Sequence, residues 1–421
     1  MRSTGAQSTL YCEYGCGSAH ECGFVWAALR SSLQRRWRRT DSERIHRYRF
    51  LCRGTVAWRL CTQESLDCSA FIHRRISLSH LFQRDLARAS RGPWWIAENG
   101  TGTVIIPPAD PANKNTPIGS PTAIISNDSQ TDFLLAPSEP AKFLFAAVDG
   151  TIAGWNPLAG LGQGIAPPST HAVTVVKTND GSAFTGLTRA FVNGKPYLYL
   201  ANFGKGRIDV YDNAFNRINL SPNQSDPGAL KGNSPFSENS FVDHNLPPSF
   251  VPFGVHAIGN DIVVTYVLHE PGSPFETDGP GLGFVDIYNS GGRLLQRLEH
   301  GDWLNAPWGV TLAPLDFGRF SHDLLVGQFA GAGDTQSSGF IAAYDLATGK
   351  LDGLLQDANG KPLVINGIWS LSSGNVSPDN RNAASEPSGQ VFFTAGPNHQ
   401  TQGLFGFLTT VPAELTEGND Q

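Results

Sequence analysis

The sequence predicts an all-β protein, a six-bladed β-propeller over residues 93–410 with an incomplete first blade, preceded by an unrelated basic, Cys-rich segment over residues 1–92. Three observations carry that expectation. A strand–turn–strand unit recurs six times between residues 93 and 408. From the second copy on, a further short strand precedes each unit. Gly (46) and Pro (28) are abundant and only 16% of residues are charged, a mixture that suits many short strands and turns rather than long solvated helices.

The copies run as follows. "PWWIAENGTGTVII" begins at Pro93 and "FLFAAVDGTIAGWNP" at Phe143. "YLYLANFGKGRIDVYD" begins at Tyr197. "DIVVTYVLHE" from Asp261 pairs, past an insertion, with "GFVDIYNSGGRLLQRL" from Gly283. "DLLVGQFAGA" from Asp323 pairs with "GFIAAYDLATGKLDGLL" from Gly339, and "VFFTAGPNHQTQGLFGFL" begins at Val391. Period-2 alternation with β-branched and aromatic enrichment marks these as strands. The preceding inner strands are "PTAIISN" at 121, "FTGLTRAFVNG" at 184, "PFGVHAIGN" at 252, "PWGVTLAP" at 307 and "NGIWSLSSGN" at 366; many share a small residue followed by an aliphatic or aromatic one. Outer strands are placed at 173–178, 294–300 and 350–356. One such sheet cannot bury its own apolar faces, so the copies are expected to stack radially. An ordinary β-sandwich would show the strands without this repeated order. The first copy has no innermost strand before Pro93, and the sixth has only "TTVPAELTEGNDQ" after "GLFGFL". A gap or distorted pairing between blades one and six is therefore expected.

The net charge of −6 hides a split. Residues 1–92 hold 16 Arg, no Lys and 7 acidic residues; residues 93–421 hold 15 Lys plus Arg and 30 acidic residues. All six Cys fall in the first part. Cys12, Cys16, His20 and Cys22 fit no standard zinc spacing. The run "RRWRRTDSERIHRYRF", residues 35–50, reads as a nucleic-acid or anionic-surface patch, or, as charge runs more often are, a solvated segment. A short helix is predicted at 79–90 and a disordered tail at 411–421. Such Arg- and Cys-rich, Lys-free text also matches out-of-frame upstream translation. Residues 1–25 have no continuous apolar core of a secretory signal, and no apolar run is long enough for a membrane span.

Several long stretches, among them "GPWWIAENGTGT", "GPGLGFVDIYNSGGRLLQRL", "NAPWGVTLAP", "SHDLLVGQFA" and "FFTAGPNHQTQGLFGF", resemble an uncharacterised family of secreted β-propellers, similar in blade style to NHL-repeat and gluconolactonase-like propellers. The resemblance covers residues 92 to 408. It implies an extracellular location and no established activity. Residues 1–91 do not match it, and a leading signal peptide is the feature the family would supply there.

No G-x-S-x-G elbow, H-E-x-x-H, P-loop or EF-hand loop occurs, and residues 93–421 contain no Cys. The candidates are therefore positional. In propeller strand order, the turns between second and third strands share one rim with the loops entering the inner strands. Those places carry Glu98, Asn99, Asp149, Asn202, His269, Glu270, Gln328, Asn398 and His399, with inner-strand Arg189, His256, Trp308 and Trp369 nearby. Oxygen ligands there would suit a hard cation such as Ca²⁺, with His256 or His269 as acid/base for lactone or ester hydrolysis. Turn backbone chemistry alone also accounts for Asn and Asp at these places, and Trp308 and Trp369 suit packing between blades. The leading reading is a monomeric binding or scaffold propeller for a protein or glycan ligand at one face; the alternative is a cation-dependent hydrolase of the lactonase or esterase kind. Long insertions at 216–250 and 269–283 are expected to overhang the channel, and Asn-X-Ser/Thr sequons occur at Asn99, Asn127, Asn219, Asn223 and Asn375.

Overall fold

Near-continuous apolar runs in the second strands bury both faces of the sheets, and five of the repeated units fold as antiparallel sheets. The computed structural model describes residues 94–95, 103–113, 118–167, 169–218, 220, 234–329, 339–373, 389–397 and 403–410. The inner strands are Pro121–Ser126, Phe184–Val192, Phe250–Ile258, Pro307–Leu312 and Ile368–Ser373. Each pairs with a second strand: Phe143–Ala147, Lys195–Asn202, Asp261–Leu268, Leu324–Gln328 or Gln390–Ala395. Third strands follow at Thr151–Trp155, Arg207–Tyr211, Gly283–Asn289, Ile341–Tyr344 and Leu404–Thr409. The first four sheets end in outer strands Val173–Lys177, Arg217–Ile218, Leu294–Arg297 and Leu351–Leu354. Three of these outer strands lie where the sequence places them. Arg217–Ile218 is too short to read from pattern. Consecutive inner strands lie side by side, as the blades of a β-propeller do.

Among the described residues the blades number five, not six. The first predicted copy forms only a two-stranded ribbon, Trp94–Trp95 with Thr103–Val104. Its continuation runs elsewhere: Ile105 N–H donates to Thr170 O (2.8 Å), and Ala172 N–H donates to Ile105 O (2.9 Å). Val104 and Ile106 are buried against Phe145, Trp155 and Ala172 of the first sheet. Among the described residues no inner strand precedes this ribbon, and the segment covers the open face of its neighbour instead of building a sheet. The fifth sheet has three strands. The segment 1–92, its helix at 79–90, the basic run and the tail 411–421 lie outside the described residues.

Four apolar seams join the five sheets. Strand periodicity decides which side chain enters which seam. In the second sheet, Leu198 and Leu200 face the first sheet's Ile125 and Leu144. Tyr197, Tyr199 and Ala201 face the third sheet's Ile262, Val264 and Tyr266. The remaining seams hold Val263, Val285 and Val326 between third and fourth sheets, and Leu325, Ala343 and Val391 between fourth and fifth. The described part of the 216–250 insertion does not overhang the channel. Phe236 and Phe241 enter the second seam, and Phe241 N–H donates to Gly292 O (2.7 Å). Two large rings gain more by burial there than over water.

The small residue shared by the inner strands has a steric role. A Cβ on Gly186 would meet Val255 N at 2.8 Å, one on Gly254 would meet Trp308 O at 2.5 Å, and one on Gly309 would meet Ser370 Cα at 2.7 Å. Each contact is with the backbone of the next inner strand. The missing side chains let these strands approach closely around the ring.

Candidate functional site

Every inner strand bulges immediately before or at its small residue. In the first, second, third and fifth sheets, the register against the second strand skips Thr122, Thr185, Phe253 and Trp369. In the fourth, it skips Trp308 and Gly309. A bulge re-aims the side chain it carries. Three of the five side chains so aimed are large aromatics, and they gather at one end of the inner strands. Phe253 and Trp308 have ring centroids 4.5 Å apart. Phe329 lies 5.3 Å from Trp308, and Phe203 lies 6.0 Å from Phe253. Trp369 joins the same buried cluster. Trp308 ties the layer across blades: its Nε1–H donates to Thr185 O (3.1 Å), two inner strands away. Trp369 Nε1 is also buried but makes no hydrogen bond among the described residues.

Three of the predicted rim residues, Asn202, Gln328 and His269, lie beside this layer. Asn202 and Gln328 immediately precede Phe203 and Phe329 in the chain, and both are fully buried. Asn202 Oδ1 accepts from Ala183 N (3.1 Å) and Lys205 N (3.2 Å), and its Nδ2 donates to Ser182 Oγ (2.9 Å) and Asp209 Oδ2 (2.6 Å). It thereby closes the 3₁₀ turn Phe203–Lys205. Gln328 Oε1 accepts from Asn305 N (2.8 Å), and its Nε2 donates to Val326 O (3.0 Å). His269 packs against Phe203, with ring centroids 4.4 Å apart and planes tilted by 46°, and its Nε2 lies 2.7 Å from Ser273 O, which fixes the proton on that nitrogen. His256 is buried two residues past Gly254, and its Nε2 donates to Trp308 O (2.7 Å). Asp149 shares the rim by register: Oδ1 accepts from Thr151 Oγ1 (2.7 Å) and Oδ2 from Ala109 N (2.8 Å). Glu270 is exposed in the loop after His269. Glu98, Asn99, Asn398 and His399 lie outside the described residues.

The arrangement thus brings Asn202, His269, Gln328 and the Phe203–Trp308–Phe329 layer to one end, while Asp149 and Glu270 stay at its margin. Among the described residues, no three His, Cys, Asp or Glu side chains gather as a metal would require. Arg189 belongs elsewhere: its Nη1 donates to Asn127 Oδ1 (2.9 Å) beyond the far end of the first inner strand. Asn127 is itself buried, and its Nδ2 donates to Asp132 O and Ala141 O, so a glycan there would break the local packing. The other four sequons lie outside the described residues. Sequence reasoning named Trp308 and Trp369 but passed over Phe253, Phe203 and Phe329. A usable signal existed, since Phe253, Trp308 and Trp369 all stand directly before the small residue of their inner strands. Among the described residues, no helix is long and apolar enough to cross a membrane.

No family model matches the chain. By sequence it is similar to proteins of Acanthamoeba polyphaga mimivirus described as uncharacterised. These are R640 (26% identical, 68% of this chain and 46% of that protein) and R648 (27% identical, 70% and 64%). A third, L690, is 28% identical over 55% of this chain and 52% of its own length. The chain spans about half to two thirds of the length of these relatives. Among solved structures it is similar to a gluconolactonase from Xanthomonas campestris (12% identity, 63% of this chain, 82% of that chain, TM-score 0.33). It is also similar to a chain of a nidogen/laminin complex (14%, 65%, 74%, TM-score 0.36). Likeness at that level carries no functional weight.

Proposed function

We propose that the chain is a binding or scaffold propeller, of extracellular ancestry and monomeric, that takes a protein or glycan ligand at the end where Asn202, His269 and Gln328 lie. One observation supports this reading above others: the polar side chains at that end are engaged in hydrogen bonds within the protein. Asp149 holds Thr151 and Ala109, Asn202 closes its 3₁₀ turn, and Gln328 caps Asn305. A Ca²⁺-dependent hydrolase needs oxygen ligands and an acid/base converging on one reacting atom. Here His256 and His269 are each committed to a carbonyl, Trp308 O and Ser273 O. The face offered to a ligand is then the 269–282 loop, which carries exposed Glu270 and Phe275. An exposed aromatic beside a charge is a common anchor for a partner.

Binding to a printed array of secreted-protein ectodomains and glycans tests this, alongside thermal melting with Ca²⁺ and Zn²⁺. The expected result is saturable binding that Glu270→Ala and Phe275→Ser together weaken by about tenfold, with no metal-dependent rise in Tm. A saturable Ca²⁺ stabilisation abolished by Asp149→Ala, with turnover of δ-gluconolactone, would replace this reading by the hydrolase. Binding indifferent to both loop substitutions would place the ligand elsewhere.

A further inference from the structure

A cavity of about 380 Å³ opens between the second and third sheets, beside the Phe203–Lys205 turn. That volume lies within the range of small-molecule sites, about 300–1,000 Å³. Its polar lining comes from Arg207, Asp209, Arg217, Glu238, Asp243 and Tyr266. Two of these are deeply buried carboxylates: the side chains of Asp209 and Asp243 are 5% and 3% exposed. Both are held in place. Asp209 Oδ1 accepts from Arg207 Nε (2.7 Å) and Oδ2 from Asn202 Nδ2 (2.6 Å). Asp243 pairs with Arg297, whose Nε also donates to Asp286 Oδ1 (2.8 Å). Behind Tyr266, its hydroxyl lies 2.8 Å from that of Tyr288, which in turn donates to Asp286 Oδ2 (3.3 Å). A cavity edged by an anchored buried network of this kind keeps its shape and its polar positions. Phe241 and Phe250 add apolar wall.

The charge pattern restricts what fits. The lining holds both carboxylates and guanidiniums, and apart from exposed Glu238 they are already ion-paired: Arg207 with Asp209, Arg217 with Asp180, Asp243 with Arg297. An anion or a cation entering would meet like charge as well as opposite charge, and would compete with the ion pairs already formed. A molecule with neighbouring hydroxyls escapes this conflict, because each hydroxyl both donates to a carboxylate and accepts from a guanidinium. Apolar C–H faces on the same molecule would suit the phenyl walls. We infer that the cavity between the second and third sheets binds a neutral saccharide. This site shares no lining residue with the 269–282 loop and stands whether or not that loop binds a ligand.

Titration followed by saturation-transfer NMR, on the full chain, tests the inference. The probes are maltose, cellobiose and N,N′-diacetylchitobiose, with glucuronate and glucosamine as charged counterparts. Saturable binding of at least one neutral sugar is expected, with both charged sugars bound at least about fivefold more weakly. Glu238→Ala and Arg217→Ala, checked for unchanged Tm, should each weaken binding about tenfold, while Glu270→Ala at the rim should leave it unchanged. No saturable binding of any neutral probe, equal binding of the charged sugars, or indifference to both cavity substitutions would overturn it.

Discussion

Replacing Gly309 by alanine should destabilise the protein, the reverse of what its backbone conformation suggests. Gly309 sits within the inner strand Pro307–Leu312 and is not among the glycines with positive φ. At such a position Gly→Ala ordinarily stabilises by about 0.4–1 kcal/mol through the unfolded chain. Here the new methyl would lie 2.7 Å from Ser370 Cα and 2.8 Å from Leu371 N. Both are backbone atoms, so no side chain can rotate away. Restoring ordinary contact requires two inner strands to part by roughly 0.7 Å or more, and overpacking of this kind costs about 1–3 kcal/mol. The net expectation is a loss of about 1–2 kcal/mol and a Tm lower by roughly 2–8 °C. The control is Gly162→Ala, whose methyl would meet nothing within 4 Å. Differential scanning calorimetry of both variants reads the contrast. A Gly309→Ala protein as stable as wild type, or matching Gly162→Ala, would refute the close approach of successive inner strands.

Two further predictions concern particular groups. Trp308→Phe should cost about 1–3 kcal/mol by leaving the buried Thr185 O without its donor, whereas Trp369→Phe, which removes an indole N–H that makes no such bond, should be nearly neutral or stabilising; urea unfolding of the two variants compares them. Burial, then the charge of Asp352, pushes the Asp323 carboxyl up to about 6. A raised carboxyl favours the folded state fully at pH below its unfolded value near 3.8, and that contribution is lost as pH rises through about 6. Asp323→Asn should therefore raise stability by about 1 kcal/mol at pH 8, after allowing for solvent screening, and leave it unchanged at pH 3.5; an equal gain at both pH values in melting curves would contradict the shift.

Much of the architecture is legible because strand pairing follows local pattern. The runs from Phe143, Tyr197 and Asp261 alternate with period 2, and all three form the predicted second strands. The Gly of "TGLT", "FGVH" and "WGVT" is legible as a repeated small residue, although its reason appears only when the next strand is in place. The lack of an inner strand before Pro93 was legible, but not that the first hairpin would then pack on its neighbour rather than start a blade. Trp94–Trp95 pairs with Thr103–Val104 as any hairpin would, yet Ile105 then turns to Thr170 and Ala172.

The site was legible in a more limited way, and the reason lies in what a turn asks of its residues. The turn position predicts where Asp149, Asn202 and Gln328 stand in the chain, at the ends of second strands or in the turns after them. It does not predict whether their side chains face outward to a ligand or back to the turn. Asn and Asp suit tight turns because their oxygens can satisfy nearby backbone N–H groups, which Asn202 does for Lys205 and Asp149 does for Thr151. Composition therefore reads the same for a structural rim and a binding rim. The bulges separate them better. Each inner strand gives up regular pairing at one equivalent place, and three of those places direct an aromatic ring into a common layer. Irregularity repeated in register, rather than the identity of the turn residues, marks the end of the ring where the fold has been shaped beyond what sheet pairing alone requires.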